Sequence, residues 1–293
     1  MGLSIIKICF LGCDSTHTEA FANRINAPEG AFYGKAKVIS IYGESNEQAI
    51  EKAGRLNIPL VTTSIEEALE SADVAMVIGR FGESHFIPAK TALAKGIPVF
   101  VDKPFTIRAE EARELINLSK ETNTRMFSSS PLRFSKEVNE CKEIAKKAGD
   151  DLIMIRVTVP ANCTDLGPDP RLDSAFFYGI HGIESLLEIT GHAISDIQIN
   201  YHKSYVSCDM ELENKTHASF QLIRDAPEFY CVELYTKTEY FHFNINLDGS
   251  YYETLVGFLL NEFLTGKDTI ALESTYQAIS MLDSIETKDP FKS

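Results

Sequence analysis

The chain has 293 residues, 44% of them hydrophobic and 24% charged, with a formal net charge of −14. That length carries two domains of ordinary size, each with its own core. An acidic surface repels phosphate backbones and anionic lipid, so neither nucleic acid nor a membrane is an expected partner.

The six cysteines (Cys9, Cys13, Cys141, Cys163, Cys208, Cys231) keep no CxxC or other ligand spacing and read as reduced thiols of a cytoplasmic protein with no metal site. The opening stretch, MGLSIIKICFLG, lacks a basic leader and reads as a first strand. No run approaches the roughly 18 apolar residues that a membrane span needs.

Through residue 130, SIIKICFLG, AKVISIY, DVAMVIG, IPVFVD and TRMFSS are continuous apolar runs, as in strands buried on both faces. Helical patterns alternate with them: THTEAFANRIN, NEQAIEKAGRLN, SIEEALES, SHFIPAKTALAKG and TIRAEEARELINLSKETN. Thr16 with Glu19 and Ser64 with Glu67 fit capping boxes. Gly96 followed by Pro98 stops a helix before the next strand. This alternation predicts an α/β, Rossmann-like domain over residues 1–130: a doubly wound parallel sheet with right-handed crossovers.

The pattern changes after residue 130. A helix over Ser135 to Ala148 leads to the strand DLIMIRVTVP, the loop NCTDLGPDPRLD and the helix AFFYGIHGIESLLEITG. Closely spaced β-type runs follow (ISDIQINYH, SYVSCDMELE, THASFQLIR, FYCVELYT, YFHFNIN), and YYETLVGFLLNEFLTG and ESTYQAISMLDSIE close the chain as helices. Residues 131–293 are therefore expected to form an α+β domain, its largely antiparallel open sheet backed by helices on one face. Phe220, Leu222, Tyr230, Val232, Leu234, Phe241 and Phe243 suggest that both sheet faces need cover, which predicts a homo-oligomer through the open face.

In ICFLGCDSTHTEAF, Gly12 gives a tight exit from the first strand, while Asp14 and His17 stand where the second and third glycines of GxGxxG would fall. The helix beginning near Ser15 or Thr16 offers unpaired amides and a positive dipole end to a pyrophosphate, and both hydroxyls add donors. Asp14 brings a negative charge to that place unless it folds back onto its own amides. The alternative is an ordinary capped turn with no ligand. At the end of the second strand, IYGES, Glu44 lies near the position that meets a ribose diol, although Gly43 aligns with the usual acidic residue. No Arg or Lys follows directly, which favours NAD without excluding NADP; otherwise Glu44 is a solvated turn residue.

FVDKPFT places Lys103 at the C-terminal end of its strand, where a doubly wound sheet borders its ligand. Its ammonium is placed to polarise a carbonyl or to exchange a proton with a hydroxyl; the plainer reading is a surface lysine at a βα turn. His181 sits in an apolar helix with Glu184 one turn on, an arrangement more often found in a satisfied core. HxxE without a third ligand gives no metal site. Arg80, Arg133 and Arg171 lie on segments expected to border the ligand, which hints at an anionic group, and His85 opens a helix at that edge.

These residues resemble the glucose-fructose oxidoreductase / inositol dehydrogenase / MocA (Gfo/Idh/MocA) family of NAD(P)-dependent oxidoreductases. The likeness covers essentially the whole chain, through ADVAMVIGRFGESHFIPAKTALAKGIPVFVDKPF, SSSPLRF and the His-bearing helix. VDKPF is similar to the family's Glu-Lys-Pro motif, with Asp102 for Glu and Lys103 in register, and His181 falls on the family's catalytic histidine. The resemblance implies hydride transfer between a nicotinamide and a sugar, cyclitol or related polyol or ketone. It implies Lys103 and His181 as catalytic residues, with Arg133 and Tyr178 beside them on the substrate. It implies Gly12, Asp14, Ser15, Thr16, His17, Glu44, Ser45, Arg80, His85 and Lys103 around NAD, and a homodimer or homotetramer. Two departures stand out. Phe177 replaces an Asp that the family often places before its histidine, so Glu184 or Tyr178 is expected to orient His181. The turn GCDSTH is similar to a subgroup reading Asp-Ser/Thr-Ser/Thr-His. A dinucleotide-binding sensor of the same fold, without turnover, is the alternative function.

Overall fold

The computed structural model describes residues 5–163, 169–266 and 270–292. The first residues of the predicted opening strand and the middle of the loop NCTDLGPDPRLD lie outside the described residues. The chain divides into two compact units: Met1–Ser129 with Tyr252–Leu272, and Ser130–Tyr251 with Glu273–Ser293.

The first unit holds a parallel sheet of β1 (Ile6–Leu11), β2 (Ala36–Tyr42), β3 (Leu60–Thr62), β4 (Val74–Val77), β5 (Val99–Val101) and β6 (Met126–Ser128). Its order is β3-β2-β1-β4-β5-β6. That is the doubly wound order, with its switch point where β1 lies beside β4. Phe10 pairs with Met76 across that junction and Ile41 with Phe10 on the other side. Strands buried on both faces need apolar residues at every position, and β4 and β5 are buried throughout. The helices are α1 (His17–Ile25), α2 (Asn46–Arg55), α3 (Ile65–Leu69), α4 (Phe86–Ala94) and α5 (Ala109–Glu121). The three-residue edge strand β3 is the element absent from the sequence reading; it is too short to show periodicity.

One expected cap forms and one does not. Ser64 accepts from the Glu67 amide, and Glu67 accepts in return from the Thr63 amide at 3.1 Å. Thr16 makes no side-chain cap: its backbone is already helical (φ −66°, ψ −16°), and the Glu19 carboxylate is held by Lys52 and Arg55 of α2.

The second unit holds a mixed sheet in the order β12-β11-β7-β10-β9-β8. Its strands are β7 (Leu152–Pro160), β8 (Ile194–Tyr201), β9 (Tyr205–Leu212), β10 (His217–Ile223), β11 (Cys231–Thr236) and β12 (Tyr240–Asn244). β7 and β10 run parallel, and the other pairings are antiparallel. With this sheet go α6 (Lys136–Ala148), α7 (Ala175–Thr190) and α9 (Leu272–Lys288), the last almost wholly in this unit.

The register corrects the argument for an apolar open face. Phe220 pairs with Val157 and Cys208, Val232 with Val157 and Phe243, and Leu234 with Phe241, so these residues share one face. That face carries α7: a Cβ on Gly182 would lie 2.7 Å from Phe220 and from Val159. The other face mixes Arg156, Asp209, Ser219, Gln221 and Glu233 with Met154, Ile223, Tyr235 and Tyr240.

A second difference concerns α8 (Tyr251–Thr265), which the sequence reading placed in the second domain and which groups with the first unit. Phe258 and Phe263 pack on Phe127 of β6, with ring centroids 6.0 and 5.2 Å away. Arg125 donates to the Glu262 and Phe263 carbonyls at the helix's C-terminal end, where a cation meets the negative end of the dipole.

Candidate functional site

β1 ends at Leu11, and Gly12 turns the chain with φ +104°. A Cβ there would lie 2.5 Å from the Gly79 nitrogen, so glycine is required both for the conformation and for the close approach of the chain leaving β4. Ser15 is buried, its hydroxyl accepting from the His17 amide at 3.1 Å, while Thr16 is exposed. Asp14 does not fold back onto its own amides, as the sequence reading allowed. It crosses the switch point to accept from the Arg80 amide at 2.9 Å. Among the described residues the Asp14, Ser15 and Thr16 amides donate to no backbone or side-chain acceptor, and they open the turn that leads into α1. Three amides beside a helix N-terminus, with a positive-φ glycine before them, fit the pyrophosphate of a dinucleotide.

At the exit of β2, Gly43 is buried because the Cys13 thiol occupies the space its side chain would need. That contact explains the missing acidic residue there. Glu44 is exposed, and Ser45 serves as the N-cap of α2, accepting from the Gln48 amide at 3.3 Å. Burial raises the Cys13 thiol's pKa, and nearby Lys52 offsets only part of that.

The ends of β4 and β5 are tied together at the same edge. Asp102 is 1% exposed and follows β5 directly. One of its oxygens accepts from the Lys103 amide at 2.8 Å, and the other meets His17 Nδ1 in a very short contact. Burial pushes the Asp102 carboxyl up; the charge and hydrogen bond of His17, then the charges of Lys103 and His85, outweigh it and hold the group below its ordinary value. Asp102 is therefore a buried carboxylate, and His17 presents Nδ1–H to it. The other ring nitrogen of His17 meets the Tyr252 hydroxyl at 2.6 Å. His85, expected beside the cofactor, is fully buried. Its Nδ1 faces the Pro104 carbonyl at 2.7 Å and its Nε2 the Gly79 carbonyl at 2.9 Å, so it joins the two strand exits. Lys103 itself is 7% exposed. Arg80 contributes its backbone amide to Asp14, and its guanidinium lies over the Phe81 ring at 5.6 Å.

In the second unit His181 is 9% exposed on α7. Its Nδ1 meets the Ser130 hydroxyl at 2.6 Å, and Tyr230 stands edge-on at 5.3 Å. Ser130 caps the short helical turn Pro131–Phe134 by accepting from the Leu132 amide at 3.1 Å. Glu184 holds Ser130 from the other side, accepting its amide at 2.6 Å. Ser130 is thus a partner that orients His181, and the sequence reading had not named it. Tyr178 is buried in edge contact with Phe177 at 4.9 Å. Arg133, expected on the substrate, is 4% exposed and paired with Glu184 and with Glu188 at 3.2 Å. It holds the support of Ser130 in place, and Lys142 shares Glu188. Arg171 is exposed and paired with Asp169. Tyr230 is held well above its ordinary pKa by burial and by Glu228, so its phenol stays protonated.

Ser130 and Tyr252 carry positions in these networks that the sequence reading did not assign. Ser before Pro at the start of a helical turn was a readable cap signal for Ser130. Nothing local marked Tyr252, which lies 235 residues from its partner His17.

Residues 6–130 match the family model described as "Oxidoreductase family, NAD-binding Rossmann fold" (GFO_IDH_MocA). Over 149 residues the chain is 29% identical to the uncharacterized oxidoreductase YhhX of Escherichia coli K12, covering 47% of this chain and 42% of that protein. Over 115 residues it is 27% identical to an uncharacterized oxidoreductase of Synechocystis, covering 39% of this chain and 31% of that one. The matched stretch thus spans less than half of either relative's length. Across 95% of both chains the fold is similar to scyllo-inositol dehydrogenase from Lactobacillus casei with bound NAD(H) and scyllo-inositol, with a TM-score of 0.78 and 16% identity. Among the described residues no helix is long and apolar enough to cross a membrane, and no His/Cys/Asp/Glu cluster is arranged to hold a metal ion.

Proposed function

We infer that the chain is a member of the Gfo/Idh/MocA oxidoreductase family, whose model matches residues 6–130, and that it is an NAD-dependent dehydrogenase acting on a secondary hydroxyl, or the matching ketone, of a sugar or cyclitol. The observation that carries this reading is Lys103: a buried lysine at the carboxyl end of β5, next to a buried, ionised Asp102, at the edge of the sheet where the dinucleotide turn also lies. A bound nicotinamide supplies or accepts the hydride.

The remaining work falls to the chain's own groups. The Asp14, Ser15 and Thr16 amides bind the pyrophosphate. Lys103 donates to the reacting oxygen and stabilises the alkoxide character it gains. His181 takes or gives that oxygen's proton at Nε2. Ser130 suits this role, because its hydroxyl can accept from Nδ1–H or donate to a bare Nδ1. The ring is therefore held in one place in either protonation state, and no Asp at position 177 is needed. Support for a sugar or cyclitol comes from the inositol dehydrogenase of the same fold.

Nicotinamide absorbance during incubation with NAD and a panel of cyclitols and sugars tests the reading. Turnover that is lost in Lys103→Met is expected. Tight NADH binding with no turnover on any polyol would favour the sensor instead.

A further inference from the structure

The positions of the second and third fingerprint glycines are held by Asp14 and His17, and each reaches a different neighbouring strand exit. Asp14 accepts from the Arg80 amide just beyond β4, at 2.9 Å. His17 meets Asp102 just beyond β5, and through its other nitrogen Tyr252 at the start of α8, at 2.6 Å. His85 closes the third side by joining the Gly79 and Pro104 carbonyls at 2.9 and 2.7 Å. The exits of β1, β4 and β5 are thus laced pairwise by polar side chains. In a glycine-rich turn, compactness comes from missing side chains: the second glycine lets the backbone approach the pyrophosphate, and the third lets the helix pack closely on its strand.

We propose that Asp14 and His17 are positioning residues that replace this compactness with cross-links, fixing the Asp14–Thr16 amides for the pyrophosphate. Two features support it. The Asp14 carboxylate is spent on a backbone donor across the switch point, which draws its charge away from the turn's own amides. His17 is buried by aromatic edges, with Phe21 at 5.9 Å and Tyr252 at 5.1 Å, and its bond to a carboxylate fixes the ring. The first turn of α1 is therefore held by β5 and α8 where a glycine would leave it to pack alone. The inference rests on the dinucleotide-binding reading and leads to a counterintuitive result: restoring the glycine fingerprint weakens dinucleotide binding.

NADH fluorescence titration of Asp14→Gly, His17→Gly and the double variant tests this, alongside Asp14→Asn and His17→Asn. Each glycine variant is expected to bind NADH about tenfold more weakly, the effect of one lost hydrogen bond to a charged or buried group. Asp14→Asn keeps the acceptor for Arg80 and removes the charge, so it is expected to bind at least as tightly as wild type. His17→Asn keeps a donor for Asp102 and is expected to recover part of the loss. A merely structural role predicts no such rescue. A folded double glycine variant that binds NADH as tightly as wild type overturns the proposal. If His17→Gly does not fold, the exposed Asp14 decides alone, and equal affinities for Asp14→Gly and Asp14→Asn overturn it. Wild-type protein that binds no NADH overturns the dinucleotide reading itself, whereas wild-type binding unchanged by glycine overturns this inference only.

Discussion

The two units each bury a histidine of about equal exposure, and the two are built for different work. His17 is clamped at both nitrogens, by the Asp102 carboxylate and the Tyr252 hydroxyl. A carboxylate accepts only, so it holds the proton on Nδ1 and fixes both the tautomer and the ring. His181 has a serine hydroxyl at Nδ1. A hydroxyl can accept from Nδ1–H or, by rotating, donate to a bare Nδ1, so this contact does not fix the tautomer. Environment more than residue type separates a cross-link from a proton carrier, and the substitutions below are chosen to break that distinction.

The largest effect is expected at His181. His181→Ala should lower kcat by about 10²–10⁴-fold, the usual contribution of a general acid–base group, while NADH affinity stays near wild type. Equal losses in kcat and NADH affinity would place His181 in the scaffold with His17.

Asp102→Asn should act through stability, costing about 2 kcal/mol at neutral pH because the buried His17 donor loses its carboxylate. The sign of the pH dependence follows from the depressed carboxyl. Its contribution is fully present above the ordinary value of 3.8 and is lost as pH falls through the lower folded value. The difference between wild type and variant, followed by circular dichroism during denaturant unfolding, should therefore be constant from neutral pH to about 4 and shrink only in stronger acid. A difference that shrinks near neutrality would assign the stabilisation to another group.

Ser130→Ala should lower kcat about tenfold, the effect of one lost orienting hydrogen bond, with KM little changed and the pH profile of kcat displaced. An unchanged profile would mean that packing against Tyr230 orients His181 without help.

The smallest effect concerns the thiols. Burial pushes Cys9, Cys141 and Cys208 up to about 12, and Cys13 is also buried and raised. A disulfide reagent applied to native protein should titrate at most Cys163 and Cys231, the two half-exposed thiols. Rapid titration of a third would show an opening of one core.

The parts of this account that were legible in the sequence are those written locally. Continuous apolar runs marked the parallel strands, and VDKPF at a strand end marked Lys103. The replacement of glycines at 14 and 17 was also visible, but its meaning was not. Asp14 reaches an amide 66 residues away and His17 a carboxylate 85 residues away, and no local pattern encodes such reach. The same holds for α8: its helical pattern was plain, whereas its return to the first unit depends on Arg125 meeting carbonyls 137 and 138 residues further on. The pairing of Arg133 was not legible, because a sequence shows a loop arginine but not the two carboxylates on α7 that it meets.

The central claim is that the first unit holds a nicotinamide dinucleotide for Lys103 to work beside. Its most direct test is NAD reduction followed by nicotinamide absorbance, with scyllo-inositol, myo-inositol and a panel of sugars, in wild type and in Lys103→Met. The account predicts turnover of at least one polyol by wild type, and a variant that still binds NADH but has lost about 10²-fold or more in kcat. A Lys103→Met enzyme that turns over the same polyol at the wild-type rate would contradict it.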